Sequence, residues 1–312
     1  MHSITETVIR DQFPFWQMAL RQDVPRLGAG TIVVTGCGTS YNLAQSLACA
    51  FNAQGQRAIA VPGAEWARRP ESYLADCRDI LVLGLSRSGT TTETVQAMTA
   101  SRARGWPCFA VSCAERAEIL QAAGQGLYVP TDPREGIVMS VSASVMLLAG
   151  LRLVGIEVSG AVIATARQAM ADMVAGAERL IRGRHHFVYL GAGAQYGLAT
   201  EGSLKLQEMS ITYSQAFHPM EYRHGPISLI DHQSVVVMLY SAETAAEEAK
   251  LVAEVQAKGA RVIGFGGPGD LQLPGAGLAT LPALQILGEM VAAQKGIDTT
   301  SPRHLTKVVV LN

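Results

Sequence analysis

The sequence predicts an α/β protein made of two duplicated three-layer α/β/α subdomains with parallel sheets. Three observations carry this expectation. Short apolar runs of strand length alternate with longer segments of helical period, the pattern of a parallel sheet covered on both faces. A glycine turn, Gly36-Cys37-Gly38-x-x-Tyr41-x-Leu43-Ala44, returns as Gly191-Ala192-Gly193-x-x-Tyr196-x-Leu198-Ala199, position 191 against 36, an offset of 155. Of the 312 residues, 48% are hydrophobic and 16% charged, enough apolar material for sizeable cores.

Taken in order, residues 1–30 read as an opening helix (Phe13, Phe15, Trp16, Leu20) and a loop broken by Pro25 and Gly28-Ala29-Gly30. Thr31–Thr35 is a strand that runs into the first glycine turn, and a helix follows to about Phe51. Arg57–Val61, Ile80–Leu85, Pro107–Ser112 and Gly126–Pro130 read as further strands. Ile137–Leu153 is apolar on all sides and reads as a buried helix. The second half repeats the plan. The same offset of 155 pairs Ser86 with Ser241 and Glu93 with Glu248, each after an apolar strand, which argues for internal duplication. The boundary falls near Gly155–Gly160, giving subdomains 1–157 and 158–312, with the N-terminal helix in the first and the C-terminal tail in the second.

Composition narrows the function. A net charge of −1 leaves no basic face for nucleic acid and no general attraction to anionic membranes. No apolar run reaches the length of a membrane span. The N-terminus lacks the basic-then-apolar form of a signal peptide, so a cytoplasmic location is expected. The five cysteines, Cys37, Cys49, Cys77, Cys108 and Cys113, are odd in number with no C-x-x-C pair, and read as buried reduced thiols.

The stretch Ser86-Arg87-Ser88-Gly89-Thr90-Thr91 joins a buried strand to a helix. Its hydroxyls, its glycine and the unpaired N–H groups of a helix start suit a phosphate dianion. A plain capping cluster reads the same way, since Ser and Thr favour that position. The stretch contains no lysine, so it is not a nucleotide P-loop. In the second copy it became Ser241-Ala242-Glu243-Thr244, whose carboxylate repels phosphate, so the first copy is the expected anion site.

Glu201, Lys205 and Glu208 share one face of the helix after the second glycine turn. They read either as a solvated charged stripe or as a carboxylate reaching a pocket. His224-Gly225-Pro226 fixes the direction of an imidazole, structural or catalytic. His218, His224 and His232 match no standard ligand spacing, so no metal is expected, and no cofactor either. The tail from Asp298 is extended and apolar after Lys307, and that lysine is either carried inward or left in solvent.

Gly38-Thr39-Ser40, Ser86-x-Ser88-Gly89-x-Thr91, Glu201-Gly202-x-Leu204-Lys205-x-x-Glu208-x-Ser210, His224-Gly225-Pro226 and Pro302-Arg303-x-Leu305-x-Lys307 occur in this order. Together they resemble the double sugar-isomerase (SIS) domain family: the isomerase half of glucosamine-6-phosphate synthase, stand-alone amino-sugar-phosphate deaminases, tagatose-6-phosphate ketose/aldose isomerases and fructosamine-phosphate deglycases. The resemblance covers nearly the whole chain and implies flavodoxin-like SIS subdomains. It implies that Ser86, Ser88 and Thr91, with Gly38, Thr39 and Ser40, hold a sugar phosphate, and that Arg87, Ser140 and Lys205 belong to the same substrate site. By the same resemblance Glu208 shuttles a proton between C1 and C2, and His224 assists ring opening in the partner subunit's site of a homodimer. Lys307 forms a Schiff base with the open ketose. Glu135–Ser140 matches another substrate-contacting loop, in a different order from the synthases. Two departures concern the site: Arg87 replaces the synthases' glutamine, and Gln207 replaces a lysine beside the base. With no glutaminase segment and no Cys at position 2, glutamine is not the expected nitrogen source. The expected activity is conversion of a hexosamine 6-phosphate to ketose 6-phosphate and ammonia. The alternatives are plain ketose/aldose isomerisation, deglycation, and phosphosugar sensing without turnover.

Overall fold

The computed structural model describes residues 2–75 and 78–309. They form two compact units. One comprises residues 11–160 with the tail from Thr306; the other comprises the N-terminal residues through Arg10 together with Ala161–Leu305. Relative to the division at 157/158 expected above, the two chain ends are exchanged. The contacts show why. Ser3 donates its hydroxyl to Glu289 (3.1 Å) and Thr5 to the Thr299 carbonyl (3.3 Å). At the other end the Lys307 ammonium donates to the Glu135 carbonyl (3.0 Å).

The N-terminal segment forms two short helices, α1 (Ile4–Arg10) and α2 (Phe13–Arg21), instead of one. Pro14 lies in the first turn of α2, where a missing N–H costs nothing. In the unit built on residues 11–160 the chain continues as β1 (Thr31–Gly36), α3 (Thr39–Ala53), β2 (Ala58–Pro62), α4 (Gly63–Arg68), β3 (Ile80–Ser86), α5 (Thr92–Ala103), β4 (Cys108–Ser112), α6 (Glu118–Ala123), β5 (Gly126–Tyr128) and α7 (Val141–Val154). The strands pair in parallel in the order β2-β1-β3-β4-β5. Ile80 and Val82 of β3 pack with Ala97 and Met98 of α5 in one core cluster. Helix α7 begins four residues later than the apolar run suggested. Residues 135–140 form a loop in which Glu135 turns its carboxylate onto the helix start, accepting from the N–H groups of Ser140 (2.6 Å) and Ser142 (3.0 Å).

The other unit contains α8 (Ala161–Gly176), α9 (Glu178–Ile181), β6 (His186–Gly191), α10 (Ala194–Ser210), β7 (Ser214–Phe217), α11 (Pro219–Tyr222), β8 (Ser234–Leu239), α12 (Ala245–Ala257), β9 (Arg261–Phe265), β10 (Leu271–Leu273) and α13 (Leu281–Lys295). Its parallel sheet runs β7-β6-β8-β9-β10. This is the order of the first sheet, strand for strand, and it bears out the duplication. The helix-starting glycines agree too: Gly38 has φ 55° and ψ −126°, Gly193 φ 53° and ψ −129°.

The offset of 155 holds at the glycine turns but not beyond them. Thr31 pairs with Ile80 in the first sheet, whereas His186 pairs with Ser234 in the second. The third strands are therefore equivalent at an offset of 154. Burial agrees: Ala97 and Met98 correspond to Leu251 and Val252. Ser86 is thus equivalent to Tyr240, and Thr94, not Glu93, to Glu248. Because side chains alternate across a strand, a one-residue slip decides which face each occupies.

Of the cysteines, Cys108 is buried, whereas Cys37, Cys49 and Cys113 are half-buried, less enclosed than expected; Cys77 lies outside the described residues. All four thiols are unpaired. Burial pushes the Cys108 thiol up to about 11 and raises the other three. No helix among the described residues is long and apolar enough to cross a membrane.

Candidate active site

In parallel sheets ligands collect beyond the carboxyl ends of the strands. In the 11–160 unit that edge carries the loops after β1 and β3. Cys37 and Gly38 turn the chain from β1 into α3; Thr39 and Ser40, the first residues of α3, are each 4% exposed. The loop after β3 folds on its own hydroxyls. Ser86 accepts from the Gly89 N–H (3.1 Å) and lies 3.5 Å from Thr91 Oγ1, while Ser88 accepts from the Thr90 N–H (3.3 Å). Thr91 caps α5. The α5 start presents the positive end of its dipole. Gly89 is required here twice over. Its φ is +69°, and a Cβ would meet Ala117 Cβ at 2.1 Å and Ser112 Oγ at 2.9 Å. Gly89→Ala is expected to destabilise the protein by about 2–4 kcal/mol, combining left-handed backbone strain with overpacking; chemical denaturation measures it.

Arg87 is 9% exposed and reaches sideways within the same unit. Its Nη1 donates to the Gly136 carbonyl (3.0 Å) and its Nη2 to the Lys307 carbonyl (2.9 Å). The structure thus brings together Ser86, Arg87, the 135–140 loop and the tail. Lys307 remains exposed as a residue although its ammonium is engaged; the tail makes turns instead of running extended, and its last three residues lie outside the described ones. Ser140 stands just before α7, 1% exposed, and donates its hydroxyl to Glu135 (3.1 Å), the side chain that caps the helix. Glu135 also accepts from Thr131 (3.1 Å). Its organising role escaped the sequence reading; an acid six residues before an apolar helix with no acid in its first turn was the available signal.

In the other unit α10 carries Glu201, Lys205 and Glu208. This face is not solvated. Glu201 and Lys205 are fully buried, and the Glu208 side chain is 20% exposed. The Lys205 ammonium bonds Glu208 and lies 3.4 Å from Glu201. Burial draws the lysine's pKa down, but the two carboxylates outweigh it, and the net shift is upward. Lys205 is therefore a cation at neutral pH. The α10 end is held by an unusual turn: Ile211 has φ +49°, and Lys295 donates to the Ser210 carbonyl (3.2 Å) and to Thr212 (2.5 Å). His224 is exposed, ahead of Gly225 at φ +125°. His218 stacks on Tyr196 with ring centroids 3.9 Å apart.

The second copy of the loop after β3 differs from the first in a way the sequence placed on the wrong residue. Glu243 points to solvent. It is Glu248, fully buried, that occupies the loop, accepting from the Ser241 N–H (2.8 Å) and the Thr244 hydroxyl (2.8 Å).

The SIS domain family matches residues 27–154 and 180–270, both units and both glycine turns. The chain belongs to the SIS domain family. Among curated SIS relatives, a glutamine–fructose-6-phosphate aminotransferase (isomerizing) from Pyrobaculum aerophilum is 29% identical over 91% of this chain and 52% of its own length. The chain thus spans about half the length of the curated relatives it matches. Among solved SIS structures, a glucosamine-6-phosphate deaminase from Thermotoga maritima superposes with a TM-score of 0.84 at 28% identity, covering 99% of this chain and 100% of the other. A tagatose-6-phosphate ketose/aldose isomerase from Escherichia coli shares the fold, with a TM-score of 0.75 at 21% identity over 96% of this chain and 89% of the other.

Proposed function

We propose that this SIS protein converts a hexosamine 6-phosphate and water to a ketose 6-phosphate and ammonia. The observation that carries the reading is the likeness to the Thermotoga maritima deaminase, which extends over essentially the full length of both chains. In this reading Ser86, Ser88 and Thr91, with Gly38, Thr39 and Ser40, anchor the phosphate, and Ser140 contributes to the substrate site. His224 assists ring opening, donated to a partner subunit in a homodimer with shared sites. Glu208, held by Lys205, removes the proton from C2 and returns it to C1. The amino-bearing C2 thereby becomes an imine. The Lys307 amine then adds to C2, ammonia leaves, and water hydrolyses the resulting Schiff base to the ketose.

The test is to incubate purified protein with glucosamine 6-phosphate and galactosamine 6-phosphate and to measure ammonia and ketose phosphate together. Equal amounts of both products support deamination. Interconversion of ketose and aldose phosphates without ammonia from either amino sugar replaces it with plain isomerisation. Ser88→Ala removes one hydrogen bond to a charged group, worth about 1.5–3 kcal/mol, so KM should rise roughly 10- to 100-fold with kcat little changed.

A further inference from the structure

Arg87 begins in the anion loop, but its guanidinium ends elsewhere. It bonds the Gly136 carbonyl and the Lys307 carbonyl at 3.0 and 2.9 Å, and the Lys307 ammonium bonds the Glu135 carbonyl at 3.0 Å. Three segments distant in sequence are closed into one hydrogen-bonded ring. Its base is fixed: the Arg87 carbonyl accepts from the Ser112 hydroxyl (3.3 Å) and the Cys113 N–H (3.1 Å). Beyond Pro302 the described part of the tail is open, since Arg303–Lys307 are all exposed. Backbone with few buried contacts opens at low free energy.

We propose that Arg87 is a positioning residue that latches the tail and sets the place of the Lys307 amine, and that it is not a phosphate ligand. Its planar fork suits this work, because separate nitrogens reach carbonyls on separate segments. A glutamine has a single amide nitrogen and cannot bridge the two in the same way. The proposal rests on the reading of Lys307 as the amine that attacks C2.

The experiment compares full-length wild-type, Arg87→Gln and Arg87→Lys proteins. Amide hydrogen exchange is followed in peptides covering 303–309 and 131–140. In Arg87→Gln, exchange in both peptides should rise about tenfold or more, as loss of charge-assisted bonds implies. In Arg87→Lys, which keeps the charge and one reach, the rise should be smaller. With hexosamine 6-phosphate, kcat should fall about 10- to 100-fold, the effect of misplacing a reacting group by an ångström, while KM stays nearly constant. Borohydride trapping of substrate on Lys307 should fall in parallel. Unchanged exchange in the tail overturns the proposal. So does a raised KM at constant kcat, which marks a phosphate ligand. If the wild type turns over no hexosamine 6-phosphate, the proposed reaction fails, and the exchange measurement still decides the latch. If Arg87→Gln does not fold, the lysine variant decides it.

Discussion

Replacing Glu208 by Gln lowers kcat by about 10²–10⁴, the usual contribution of a positioned general base, with phosphosugar affinity little changed. The expectation follows from the end of α10. The Glu208 side chain is 20% exposed, open enough to meet a substrate, and is bonded to a buried ammonium one turn earlier. Glutamine keeps the shape and gives up the basicity. Exchange of the substrate's C2 hydrogen with deuterated solvent should be lost together with turnover. Retained exchange and near wild-type kcat in Glu208→Gln would falsify the assignment, leaving His224 and Lys307 as the groups to test.

Lys205→Met should destabilise the fold by about 3–5 kcal/mol, the cost of breaking a buried ion pair. The lysine side chain is 1% exposed and stands between Glu201 and Glu208. Methionine fills similar space but removes the cation between two carboxylates. The pH dependence has a definite sign. The folded pKa of Lys205 lies above its ordinary value of 10.5, so its stabilisation is complete below that value and is lost as pH rises through the higher folded one. Between pH 6 and 9 titration of Lys205 thus contributes no slope to stability. Urea unfolding of both proteins at several pH values measures the gap, and adding Glu201→Gln should recover part of it. A gap below about 1 kcal/mol would place these charges among ordinary surface pairs.

The architecture was legible because its signals are local. Apolar strands, a helix period and two glycine turns with matching neighbours need no long-range knowledge. What was misread depends on contacts between distant segments. Spacing alone shows that Glu201, Lys205 and Glu208 share a helix face, not whether that face is covered. Repeat counting located the copies, but a one-residue difference between the turns and the third strands is visible only in the strand register. Arg87 was legible as a member of the loop. Its actual partners lie 49 and 220 positions away, a separation no motif encodes. The exchange of chain ends between units likewise rests on long-range contacts, the burial of Val8 and Ile9 and the hydrogen bond of Ser3 to Glu289 among them.

Glu248 gives the duplication a division of labour. In the proposed function one copy of the loop takes its anion from outside, and its occupancy then follows the concentration of a phosphosugar. The other carries its filling in its own sequence. A tethered carboxylate acts at an effective concentration that a free anion does not reach, and it never departs. That loop is therefore indifferent to the metabolic state of its surroundings. After duplication one half could remain responsive while the other became invariant, a constant frame for the helix that bears Glu208.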